Sequence, residues 1–90
     1  MPEICNIEYR GGYVYSLRFD DGLEGEIDFS EYLRRGPVFE ALANPDFFQK
    51  AYLEAGTIAW PNGVDIAPET LYDKIQNAHA SAKSRESQHV

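Results

Sequence analysis

The chain has 90 residues, 43% of them hydrophobic and 13% aromatic, with eight Lys and Arg against fifteen Asp and Glu for a net charge of −7. A single domain of that length buries roughly 60–70% of the surface its unfolded form exposes, so it has one modest core. No run approaches the roughly 18 apolar residues of a membrane span. No apolar stretch follows Met1-Pro2-Glu3 and the lone Cys5 excludes an internal disulfide, so a soluble cytoplasmic protein is expected.

The first half predicts a three-stranded antiparallel meander. Cys5, Ile7 and Tyr9 alternate with Asn6 and Glu8; Tyr13, Tyr15, Leu17 and Phe19 alternate with Val14, Ser16 and Arg18; Leu23, Ile27 and Phe29 alternate with Glu24, Glu26 and Asp28. A period of two marks strands with one buried face. A three-residue bend Arg10-Gly11-Gly12 would pair Tyr9 with Tyr13 and keep the apolar faces aligned, whereas a two-residue bend would invert one strand. Asp20-Asp21-Gly22 likewise pairs Phe19 with Leu23 and Leu17 with Gly25, and both bends end in Gly at the left-handed position. Arg18 then opposes Glu24 on the outer face, and Gly25 on the inner face leaves room for a neighbouring ring or helix. Cys5, on the inner side, is expected to be inert.

Short helices follow. Ser30 is expected to cap a turn through Leu33 that ends at Gly36, and Pro37 to open a second with Val38, Phe39 and Leu42 toward the core. Asn44-Pro45 repeats the start signal ahead of Phe47 and Phe48. A second hairpin at Ala55-Gly56 would pair Leu53 with Ile58 and Ala51 with Trp60. After the turn Pro61-Asn62-Gly63, Pro68 begins a C-terminal helix packed on the sheet through Leu71, Tyr72 and Ile75. The fold class is therefore α+β, with one domain over residues 1–78 and a disordered tail over 79–90, where no apolar side chain larger than alanine precedes Val90.

Several segments resemble the family called Domain of Unknown Function 2442. They are Tyr15-Ser16-Leu17-Arg18-Phe19-Asp20-Asp21-Gly22, Ile27-Asp28-Phe29, Gly36-Pro37-Val38-Phe39 with Leu42, Phe47-Phe48, and the stretch from Ile58 to Tyr72. The most specific is Trp60-Pro61-Asn62-Gly63-Val64-Asp65-Ile66-Ala67-Pro68-Glu69-Thr70-Leu71-Tyr72, and the resemblance covers about residues 4–76. It implies a small bacterial α+β domain whose relatives often stand beside genes for a second small protein, in arrangements resembling toxin–antitoxin pairs. Some longer relatives append a helix-turn-helix, for which the twelve residues after Ala78 are too few. The resemblance supplies no catalytic residues.

Candidate site residues from the motif are Trp60, Asn62, Gly63, Asp65, Glu69 and Tyr72. The structural reading makes Trp60 a core ring over the sheet, Asp65 a hydrogen-bond acceptor closing the turn or helix entrance, and Glu69 a first-turn carboxylate favouring the helix dipole. Asp65, Glu69 and Asp73 recur every fourth residue and would offer oxygen ligands to a divalent cation only if all three were helical, which Pro68 argues against. Glu24, Glu26 and Asp28 form an acidic row, either a docking face for a basic partner or the wet side of a sheet. Arg34-Arg35 either contact phosphate or, the favoured reading, suit the C-terminal end of the short turn before Gly36.

Residues 1–78 hold six basic against fourteen acidic groups, a balance of −8. That charge disfavours direct binding of phosphate backbones. No Cys/His cluster suggests zinc, no glycine-rich phosphate loop stands in a strand-to-helix context, and His79 and His89 lie in the expected tail, away from a nucleophile. No cofactor is expected. These features favour a nonenzymatic protein-interaction module, an antitoxin-like partner for the product of an adjacent gene. The alternatives are a sensory or dimerising domain in transcriptional regulation and, third, a small hydrolase or metal enzyme. Exposed strand edges and surplus tyrosines are compatible with a homodimer.

Overall fold

A computed structural model of the chain describes residues 2–88, with side chains described for residues 2–80. The architecture is α+β. Strands β1 (Ile4–Gly11), β2 (Val14–Phe19) and β3 (Glu24–Asp28) form an antiparallel sheet in that order. Two 3-10 helices follow, Phe29–Arg34 and Pro37–Ala43, and then the single turn α1 (Pro45–Phe48). Strands β4 (Tyr52–Glu54), β5 (Thr57–Ala59) and β6 (Asp65–Ile66) form a second antiparallel sheet with β5 central, and α2 (Pro68–Gln88) comes last. The tail expected over 79–90 falls, from position 81 onward, on residues whose side chains lie outside the described set.

The β2–β3 hairpin has the expected register, with Leu17 opposite Gly25 and Arg18 opposite Glu24. The β1–β2 hairpin does not. Tyr9 pairs with Tyr15 and Ile7 with Leu17, and Gly11 meets Val14 after a register shift. The bend therefore lies at Gly12-Tyr13, and Tyr13 is no partner of Tyr9. Its backbone carbonyl accepts from Phe29 N at 2.7 Å and its ring lies 5.3 Å from Phe48, so tertiary contacts claim it. Because the pairing differs from the expected one by two residues, side-chain parity survives and the same face is buried.

A second shift between Ile4 and Asn6 places an extra residue in β1. That bulge buries Ile4 and turns Cys5 outward, so the thiol is exposed rather than on the inner face.

Both sheets contribute to one core, in which Leu17, Phe19, Phe29, Leu42, Phe48, Ile58, Trp60 and Leu71 are all fully buried. Helix α2 closes one side with Leu71 and Ile75, an i, i+4 pair on one face. It lies so close to β3 that a Cβ on Gly25 would stand 2.7 Å from Ile75 Cγ2, which is why the inner face carries glycine there. Tyr72 packs edge-on against Phe19 and donates to Asp21, and Lys74 pairs with Glu31. The cations of Arg35 and Lys74 also stand over the Tyr32 ring, at 4.5 and 5.6 Å.

Two helix details differ from expectation. The first 3-10 helix is capped by Asp28, whose carboxylate accepts from Ser30 N at 2.9 Å, and Ser30 itself is not the cap. In the second, Leu42 is buried and Phe39 half-buried, but Val38 is 62% exposed. A 3-10 helix has three residues per turn, so Phe39 and Leu42 share one side while Val38 and Ala41 share another. The residue before a proline resists the α conformation, and Asn44, with ψ of 117°, ends this helix before it can lengthen.

Candidate functional site

The turn Pro61-Asn62-Gly63 is held by three bonds. Trp60 N donates to the Val64 carbonyl at 2.9 Å, Gly63 N to the Trp60 carbonyl at 3.0 Å, and Val64 N to Asn62 Oδ1 at 3.2 Å. Gly63 takes φ of 92°, in the left-handed region. The β2–β3 bend repeats this construction: Phe19 N donates to Leu23 O, Gly22 N to Phe19 O, and Leu23 N to Asp21 Oδ1, with Gly22 at φ of 94°. Thus Asn62 closes the motif turn. Asp65, expected in that role, is exposed, and its carboxylate takes no hydrogen bond among the described residues.

Beneath the turn Trp60 is a core ring. Its Nε1 donates to the Phe48 carbonyl at 2.9 Å, and its indole lies 5.8 Å from both Phe29 and Phe48. Tyr15 donates to the same carbonyl at 2.9 Å. Burial pushes the Tyr15 phenol above its ordinary range, partly opposed by the Ala51 backbone.

Beside the turn the surface opens into a groove of about 450 Å³. One wall is Pro37, Val38, Phe39 and Ala41 of the second 3-10 helix; the other is Asn62, Gly63, Val64 and Asp65. Two of the segments that carry the family resemblance therefore meet here, although twenty residues lie between Ala41 and Asn62. Among the described lining residues Asp65 carries the only charge, and no His, Cys, Ser or Lys stands beside it. Pro37, Val38, Phe39, Ala41 and Val64 make most of its lining apolar.

The motif residues divide between two tasks. Asn62, Gly63 and Asp65 line the groove, and Trp60, just before them in the chain, is a buried core residue. Tyr72 is half-buried on Phe19 and Glu69 is exposed in the first turn of α2. Among the described residues no group of three or more His, Cys, Asp or Glu is placed to hold a metal ion, and Asp65, Glu69 and Asp73 do not converge.

Glu24, Glu26 and Asp28 are exposed along β3, with Arg18 of β2 opposite Glu24 and Arg10 of β1 near Glu26. Arg10 lies 3.2 Å from Glu8 and 4.0 Å from Glu26, whereas Arg18, across from Glu24, makes no described ion pair. Bonds from Ser30 hold the Asp28 carboxyl below its usual range. The Tyr72 hydroxyl does the same for Asp21 and Lys74 for Glu31, while Asp21 in turn raises the Tyr72 phenol. These groups cap the first 3-10 helix, tie it to α2, and tie α2 to the β2–β3 bend.

Sequence reasoning missed the groove because it placed Val38 inside. The spacing of three between Phe39 and Leu42, cut short by Pro45, was the available signal for a 3-10 period.

The described residues form an α+β body with an open groove between the second 3-10 helix and the Pro61-Asn62-Gly63 turn. No helix among those residues is long and apolar enough to cross a membrane. The chain belongs to the family of proteins of unknown function DUF2442, whose sequence profile matches residues 4–77. It matches no curated protein and no solved structure.

Proposed function

We propose that this chain is a nonenzymatic protein-interaction module, the acidic member of a small bacterial cytoplasmic complex of the antitoxin kind. One observation carries this reading: the Pro37–Ala41 and Asn62–Asp65 segments converge on an open apolar groove at whose wall Val38 stays 62% exposed. An isolated exposed apolar side chain is ordinary, but one lining a groove built from two motif segments suits recognition. The charge of −7 adds preference for a basic partner.

The test is co-expression with the product of the adjacent gene, followed by size exclusion. A stable complex is expected, and two separate peaks would overturn the proposal.

A further inference from the structure

We propose that the free edge of β6 accepts an extended segment of the partner as an added antiparallel strand, with aliphatic residues in the groove and basic residues at Asp65. This deepens the interaction-module reading and rests on it.

The backbone supplies the first part of the argument. Trp60 N bonds to Val64 O, so these two residues form a hydrogen-bonded pair. Antiparallel pairs alternate between bonded and non-bonded, so Ala59 and Asp65, next along the ladder, are a non-bonded pair. The N–H and C=O of Asp65 therefore turn away from β5. Among the described residues, the strand order β4-β5-β6 leaves that side without a paired strand. An unpaired edge is a template for another strand, and strand addition is a recurrent mode of peptide recognition.

The groove supplies the second part. Its lining includes Asp65 of β6 together with Val38 and Val64, so a strand added there would bring alternate side chains toward the two valines. With only two residues in β6, few backbone bonds are gained, and the apolar wall must provide much of the contact.

Charge selects the occupant. Asp65 is the one charged residue of the described lining, and it belongs to a body of net charge −8 over residues 1–78. An acidic strand meets repulsion there and a Lys or Arg meets attraction. A second copy is disfavoured for the same reason: the edge strand β4 carries Glu54, and every copy bears −7.

The test uses the isotopically labelled full chain and four end-blocked ten-residue probes: alternating Lys-Val, alternating Glu-Val, and two Lys-Val peptides methylated on every other backbone nitrogen, one in each phase. The largest amide shifts on adding Lys-Val are expected at Gly63, Asp65, Ala67 and Val38. The Glu-Val probe should bind at least about tenfold more weakly, and Asp65→Lys should reverse that preference. One methylation phase should weaken binding about fivefold or more and the other much less, as loss of edge hydrogen bonds requires.

A footprint on Glu24, Glu26 and Asp28, equal binding of both charge types, indifference to methylation, self-association at β6, or no binding would each overturn the proposal. The adjacent-gene product separates the two readings. If it still co-elutes with both Val38→Asp and Asp65→Lys, the interaction module stands and the added strand falls. If no complex forms with the unaltered chain, the interaction reading itself fails.

Discussion

Tyr15 and Trp60 donate to the same acceptor, the backbone carbonyl of Phe48, each at 2.9 Å. One comes from the first sheet and the other from the end of the second. The carbonyl belongs to the last residue of a one-turn helix, where intrahelical donors run out. Both sheets are thus tied to one point in the middle of the core.

Tyr15→Phe leaves Trp60 bonded and should lower stability by about 0.5–1.5 kcal/mol. Trp60→Phe also opens a cavity and should lose more, about 2 kcal/mol or above. The double variant strands a buried acceptor, so its loss should exceed the sum of the two. Urea denaturation of the four proteins measures that coupling, and a coupling of zero would contradict the shared acceptor.

Gly25→Ala places a methyl 2.7 Å from Ile75 Cγ2 and 3.0 Å from Cγ1. Overpacking of this kind should lower stability by about 1–3 kcal/mol. In an Ile75→Ala background both clashing atoms are gone, and the added loss from Gly25→Ala should largely disappear. Thermal melts of the pair decide it.

The two matched bends make a parallel prediction. Gly22→Ala and Gly63→Ala force a Cβ into the left-handed region, and each should lose about 1 kcal/mol or more. Gly63→Asn should be milder, because Asn visits that region more readily. Asn62→Ala removes only a side-chain acceptor of an exposed turn and should lose less than Gly63→Ala in the same denaturant series.

Acid should loosen the helix attachments. Asp21, Asp28 and Glu31 have folded-state values below their ordinary 3.8, 3.8 and 4.5. Groups depressed in this way contribute stability in full above the ordinary value and lose it as pH falls through the folded value. The melting temperature should therefore be flat above about pH 5 with respect to these groups and fall below it. Tyr72 has the opposite sense: its phenol is raised above 10.0, so its contribution is present below that value and is lost as pH rises through the higher folded one. Tyr72→Phe should let the Asp21 carboxyl rise toward 3.8 in an NMR titration, short of a full return because Leu23 N still donates to it.

Local chemistry explains which parts of the fold were legible. The β2–β3 register, the Leu53–Ile58 pairing, the α1 start at Asn44-Pro45 and the space at Gly25 are written in short stretches that contain their own turn residues. The β1–β2 register was not, since the bulges are decided by where Tyr13 and Ile4 find partners farther along the chain. Cys5 followed the bulge outward. Of the candidate site, Asn62, Gly63 and Asp65 were visible as a motif, but their facing wall was not. Its Val38 is oriented by a three-residue period that an α-helical template misplaces.

The twin bends at Asp20-Asp21-Gly22 and Pro61-Asn62-Gly63 bear on how the chain acquires its shape. Each closes a hairpin from neighbours only a few positions apart, so either sheet can begin zipping without waiting for the other. Docking of the two sheets is then the non-local step, since it must bring the Trp60 and Tyr15 donors to the one Phe48 carbonyl.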